Sequence, residues 1–152
     1  MAIYIGADHR GVDLKQQLVT FLKELGEDVI DVGNNDSDAE DDYPDVARCV
    51  AEPVSKDPDK TKGIVLCGSG VGVNIAVNKH HHVRSGVCMN TEQAESARMH
   101  DDINILALAA DFVDQETAQQ IVKVFLNTEF SGKERHKRRI EKLGDIEQDV
   151  CK

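Results

Sequence analysis

The 152-residue sequence predicts an α/β fold: a single doubly wound, five-stranded parallel sheet of Rossmann-like type, order 2-1-3-4-5, with an extra C-terminal helix. Three observations predict it. Five short apolar stretches alternate with segments whose apolar residues recur at helical spacing. No repeat, low-complexity linker or second domain breaks the alternation, so residues 1–152 read as one domain. The stretch Gly63 to Lys79, GIVLCGSGVGVNIAVNK, joins a buried strand, a tight glycine turn and a helix N-terminus in one βα unit.

Taken in order, Ala2 to Ala7 is apolar and β-branched, a strand, and Asp8-His9-Arg10-Gly11 is the loop after it. Leu14, Leu18, Phe21, Leu22 and Leu25 mark a helix that Gly26 stops. Asp28 to Val32 is the second strand, and 33–42 an acidic loop rich in Asn, Asp and Ser. Pro44 suits the first turn of a helix with Val46, Ala47, Val50 and Val54 on one face, and Pro53 and Pro58 bracket its end. The third strand, Gly63 to Cys67, leads through the glycines to a helix ending near Lys79. Val83 to Cys88 is the fourth strand. Thr91 to His100 is a helix capped by Asn90 or Thr91. Asn104 to Ala109 is the fifth strand. Ala118, Ile121, Val122, Phe125 and Leu126 mark the next helix, and a basic helix over about Glu134 to Gln148 closes the chain.

Connections of this kind are right-handed, and the sheet reverses direction between its first and third strands. Ligands of such sheets bind at that reversal, beyond the carboxyl ends of the strands. The order therefore predicts that the loops Asp8–Gly11 and Cys67–Gly70 lie side by side.

Composition narrows the function classes. Eighteen Lys and Arg against 28 Asp and Glu leave a formal charge of −10, which argues against nucleic acid and anionic membrane as partners. No apolar run is long enough for a membrane span, and MAIYIGADHR lacks the basic start of a signal peptide, so a cytoplasmic protein is expected. Cys49, Cys67, Cys88 and Cys151 form no CxxC, which disfavours a disulfide framework or a zinc site. A local basic cluster, Lys133, Arg135, His136, Lys137, Arg138 and Arg139, suits either a small anion or a solvated helix face.

Gly68-Ser69-Gly70-Val71-Gly72 can cradle an anion or oxyanion on successive backbone N–H groups. It fails the dinucleotide pattern GxGxxG because Val73 stands at the last position, and the Walker pattern is absent, so a nucleotide cofactor is not expected. Cys67, at a strand's carboxyl end before a helix N-terminus, sits where the helix dipole favours a thiolate, and is the candidate nucleophile or base. Cys49 and Cys88 read as packing residues. Asp8 with His9, and His100 with Asp101, Asp102 and Asn104, are further polar candidates. His80-His81-His82 reads as a surface loop, since three adjacent side chains do not readily converge on one metal.

GADHRG after the first strand, DYP at Asp42-Tyr43-Pro44, CGSGVGVNIAVNK, His100 followed by Asn104, and RHKRRIEKLGDIE near the C-terminus together resemble the type B ribose-5-phosphate isomerases. The galactose-6-phosphate isomerase subunits belong to the same family. The resemblance covers nearly the whole chain and implies a cofactor-independent aldose–ketose isomerase working through a cis-enediolate, with ribose 5-phosphate and ribulose 5-phosphate as the expected pair. Galactose 6-phosphate, allose 6-phosphate or a tetrose phosphate are the alternatives, as is a silent sugar-phosphate-binding subunit.

The resemblance also implies site roles. Cys67 is the base between C1 and C2; a second branch uses a glutamate at the position of Val73. Ser69 and His100 open the sugar ring. Asp8 and His9 hold sugar oxygens, and the backbone of Gly68, Gly70, Val71 and Gly72 holds the enediolate. Asp101 lies beside the substrate, and Arg135 and Arg139 bind the phosphate. No metal is implied. A homodimer or homotetramer with sites between subunits is implied, the partner supplying the His100 side. The chain departs from the family's usual residues at Asp101 (Asn), Asp111 (Arg or Lys) and Glu40-Asp41 (Arg-Thr).

Overall fold

The structure, a computed structural model, describes residues 1–33 and 41–150. Five strands, β1 (Ala2–Ala7), β2 (Asp28–Asp31), β3 (Thr61–Cys67), β4 (Ser85–Val87) and β5 (Ile105–Ala109), form one parallel sheet. Among the described residues six helices accompany them: α1 (Val12–Glu24), α2 (Tyr43–Lys56), α3 (Val71–Val77), α4 (Thr91–Asp101), α5 (Gln115–Asn127) and α6 (Glu134–Val150). The predicted class and the extra C-terminal helix hold. Glu40 and the middle of the predicted acidic loop lie outside the described residues.

The strand order is β2-β1-β3-β5-β4, so the last two strands exchange places relative to 2-1-3-4-5. Burial explains the exchange. Every residue of β5 is buried, as an interior strand covered on both faces requires, whereas β4 is three half-exposed residues, Ser85-Gly86-Val87. The reversal between β1 and β3 is unaffected.

Two apolar layers cover the sheet. One packs Leu14, Leu18 and Leu22 of α1 with Ile121, Val122 and Phe125 of α5 against Ile3, Ile5, Leu66 and Leu108. The other packs Ala47, Val50 and Val54 of α2 and Val73 and Val77 of α3 against Val65 and Ile105. Lys15, on the inner stripe of α1, is fully buried and donates to both oxygens of Asp31 at 2.8 and 2.9 Å, tying α1 to the carboxyl end of β2. Pro53 lies inside α2, which continues to Lys56, and does not end the helix. Cys49 is exposed on α2 and carries no packing; its helix face is turned away from the Val46–Val50–Val54 stripe. Cys88 is buried as expected, and burial pushes its thiol up to about 11.

Candidate active site

The carboxyl end of the sheet brings the β1 and β3 loops together. Residues Ala2 to Ala7 pair in register with Thr61 to Leu66, and the Asp8 N–H donates to Leu66 O at 3.1 Å. β3 ends at Cys67, which is 5% exposed. The turn beyond it requires a left-handed residue, and Gly70 supplies it at φ +73°. That conformation points the Gly70 N–H at Cys67 Sγ, 3.1 Å away. A sulfur carrying negative charge accepts such a bond better than a neutral thiol does. Val71 opens α3, and its N–H donates to Ser69 Oγ at 3.3 Å. Gly72 is approached by the Tyr43 ring, where an added methyl group would meet the ring at 3.0 Å.

Asp8 is buried, and its Oδ1 accepts the Arg10 N–H at 3.0 Å. His9 Nδ1 contacts Asp41 Oδ1 at 2.5 Å, which holds the imidazole over the loop. Burial pushes the Asp8 carboxyl above its ordinary 3.8, against the opposing pull of the Arg10 N–H and His9. Unfolded, Asp8 ionises at its ordinary pKa; folded, it keeps its proton to higher pH. The folded state binds the extra proton in that interval, so stability is fullest below 3.8 and is lost as pH rises through the folded value. Asp8→Asn keeps the acceptor and removes the titration. The variant is expected to melt above wild type at pH 7, with the difference vanishing at about pH 3, as thermal unfolding at the two pH values measures. A carboxylate retained at a cost to stability is what a functional site produces.

The remaining candidates occupy the opposite end of the sheet. α4 runs back from the end of β4 to the start of β5, so His100 and Asp101 at its last turn lie at the amino edge. Strands of five to seven residues rise about 16 to 23 Å, which separates His100 from Cys67 within one chain. The turn before α6 packs there: Ser131 N–H donates to Met99 O at 3.1 Å, and the His100 and His136 rings lie 4.7 Å apart. His136, 2% exposed, accepts from Arg135 Nε at Nε2 (3.1 Å) and meets Ser131 Oγ at Nδ1 (2.6 Å). Because arginine only donates, Nε2 is the acceptor and Nδ1 carries the proton. Burial, then the neighbouring His100, Arg135, Arg139 and Lys133, lower the His136 pKa from 6.5 and keep the ring neutral. Arg135 and Arg139 are exposed on the same helix.

A two-arginine clamp fixes this end. Asp102, in left-handed conformation at φ +47°, caps α4 and receives Arg98 at 2.7 Å on one oxygen and Arg84 at 3.0 Å on the other. Asn104 bonds the Arg84 N–H and His82 O. The His80–His82 turn is tied to α6, the His82 N–H donating to Glu147 Oε2 at 3.1 Å.

The fold places the sequence-predicted site residues at two opposite edges of the sheet, Cys67, Ser69, the glycine loop, Asp8 and His9 at the carboxyl edge and His100, Asp101, Arg135 and Arg139 at the amino edge. Arg10, Asp41 and His136 are not among the predicted site residues. His136 had a signal, being next to Arg135 in the basic cluster. The partners of Arg10 and Asp41 are far away in sequence and left none. Among the described residues, no group of three or more His, Cys, Asp or Glu is placed to hold a metal, and no helix is long and apolar enough to cross a membrane.

Comparison with known proteins matches this arrangement to one family. The Ribose/Galactose Isomerase family model matches residues 3–143. The ribose-5-phosphate isomerase B of Escherichia coli is 40% identical over 146 residues, covering 96% of each chain. Two solved structures superpose with TM-scores of 0.94. Ribose-5-phosphate isomerase B from Mycoplasma genitalium with bound ribulose-5-phosphate is 42% identical, covering 97% of this chain and 96% of that one. The Clostridium thermocellum ribose-5-phosphate isomerase B is 43% identical, covering 99% of both. Since the match runs from the first strand into α6 and includes both polar clusters, the chain belongs to the Ribose/Galactose Isomerase family and is an isomerase.

Proposed function

We propose that the chain interconverts ribose 5-phosphate and ribulose 5-phosphate through a cis-enediolate, with Cys67 as the base and without a cofactor. The observation that carries this reading is the Cys67 thiol, held on the Gly70 N–H beside Asp8 and His9, in a chain that superposes on a relative holding ribulose-5-phosphate. Cys67 takes the C2 proton of the open-chain aldose and returns it to C1, while the O2 hydroxyl proton passes to O1 and leaves the C2 carbonyl of the ketose. Backbone N–H groups of the Gly68–Gly72 loop stabilise the enediolate oxygen as charge develops on it. Asp8 and His9 hold the sugar oxygens. His100, with Ser69, opens the ring, and Arg135 and Arg139 take the phosphate as guanidinium forks.

Those roles require both clusters in one site. One chain separates them by the length of the sheet, so the site forms between subunits, with His100, Asp101, Arg135 and Arg139 coming from the partner of the chain that supplies Cys67. Exposed apolar side chains support a covered surface here: Val71 (51%) and Ile75 (53%) on α3, and Phe112 (69%) after β5. A homodimer is the smallest assembly that meets the requirement.

The test is turnover of a panel of aldose phosphates by the folded protein: ribose 5-, galactose 6- and allose 6-phosphate and a tetrose phosphate. Ribose 5-phosphate is expected to give the highest kcat/KM. A higher value for another member reassigns the substrate. No turnover of any of them would sink the isomerase reading of this site in favour of a silent binding subunit.

A further inference from the structure

A sugar phosphate reaching Cys67 enters an acidic edge. In the loops that follow β1, β3, β4 and β5 the acids are Asp8, Asp111 and Asp114, with Asp41 beside them on His9, and the one Lys or Arg is Arg10. Lys15 lies buried beneath, bound to Asp31. The Arg10 side chain crosses Gly68: a methyl group there would sit 2.6 Å from Arg10 Nε and 2.9 Å from its Cδ. One terminal nitrogen meets Asp111 Oδ2 at 2.5 Å. Asp111 in turn stands on the thiol loop, its N–H donating to Gly68 O at 3.0 Å, while the Ala110 N–H donates to Cys67 O at 2.9 Å. The ion pair therefore bridges the β1, β3 and β5 loops directly above the residue that follows Cys67.

The pair is too exposed to be explained by stability, with side chains 57% and 35% accessible; ion pairs of that kind contribute about 0 to 1 kcal/mol. Nor does it use up the guanidinium. Arginine has five N–H donors, and Asp111 engages one terminal nitrogen, so donors remain for a second anion.

We propose that Arg10 is a substrate-binding residue that takes the phosphate of the sugar phosphate from the Cys67 side, and that Asp111 is the positioning residue holding its guanidinium over Gly68. The assignment rests on the isomerase reading above. It adds a phosphate ligand supplied by the same subunit as the base, opposite Arg135 and Arg139 of the other subunit.

The test is calorimetric binding of ribose 5-phosphate, inorganic phosphate and unphosphorylated ribose to the full-length wild type, Arg10→Ala, Arg10→Lys, Asp111→Asn and the Arg10→Ala/Asp111→Asn double variant. Melting temperature and turnover are read on the same preparations. Arg10→Ala is expected to weaken ribose 5-phosphate and inorganic phosphate about tenfold or more, with lysine restoring part of the loss, and to leave ribose unaffected. Asp111→Asn is expected to weaken the phosphate ligands less, and to add nothing in the Arg10→Ala background.

Arg10→Ala binding like wild type, with a lowered melting temperature only, overturns the assignment in favour of a structural pair. Tighter phosphate binding by Asp111→Asn overturns the positioning role. Absence of phosphate binding by wild type overturns both. A wild type that binds ribose 5-phosphate but isomerises nothing is the separate failure of the isomerase reading, and leaves the binding comparison intact.

Discussion

Replacing Cys67 by alanine is expected to abolish exchange of the C2 proton of ribose 5-phosphate with solvent and to lower kcat by roughly 10²- to 10⁴-fold, the range a positioned base supplies. Binding of the sugar phosphate is expected to persist, since the role proposed for the thiol is proton transfer and the ligands proposed for the phosphate are arginines. The physical case rests on where the sulfur sits. Cys67 is the last residue of a buried strand, and its Sγ accepts the Gly70 N–H at 3.1 Å. Cys67→Ser separates the chemical role from the structural one, because its hydroxyl can accept the same N–H yet is a far weaker acid than a thiol. Serine is therefore expected to preserve the melting temperature and to lose exchange as alanine does. Retained exchange in either variant, followed in deuterated water, would place the base elsewhere.

Mixing two dead variants is expected to restore activity. In the proposed intersubunit site, Cys67→Ala removes the carboxyl-edge half, and His100→Ala or Arg139→Ala removes the amino-edge half. Each variant alone, as the proposed homodimer, then carries two broken sites. If subunits mix at random, half of the dimers are hybrids with one site carrying both lesions and one carrying none. Turnover should then recover to about a quarter of wild type. A site contained within one chain gives no recovery at all. The prediction follows from the path of α4, which takes His100 from the end of β4 to the start of β5, and from strands that rise about 16 to 23 Å between the two edges. Co-expressed, differently tagged chains purified as hybrids sharpen the measurement.

Particular residues show what was legible in the sequence and what was not. The boundaries of β1 and the stop at Gly26, observed at φ +81°, follow from local rules of side-chain period and backbone conformation. So does the Asn90 cap of α4, whose side chain accepts the Gln93 N–H at 2.8 Å. The glycine turn beside Cys67 was equally legible, because a left-handed residue between strand and helix restricts the choice to glycine. The order of β4 and β5 is the reverse of the expected one, although the run from Ile105 to Ala109 has the two-sided apolarity of an interior strand and Ser85-Gly86-Val87 does not. Lys15 was invisible as a core residue, since its burial depends on meeting Asp31 across the α1–β2 interface.

The α/β class, the strand–turn–helix unit around Cys67 and the two sets of polar candidates were all readable along the chain. These depend on contacts within a few residues, where covalent geometry and periodicity leave few choices. Tertiary structure alone decided that the two sets lie at opposite ends of one sheet, that His136 is buried and neutral against His100, and that Asp111 faces Arg10 across Gly68. Each of these depends on which distant segments share an edge, and that is settled by how strands bury their two faces and how charges find partners once the chain has folded.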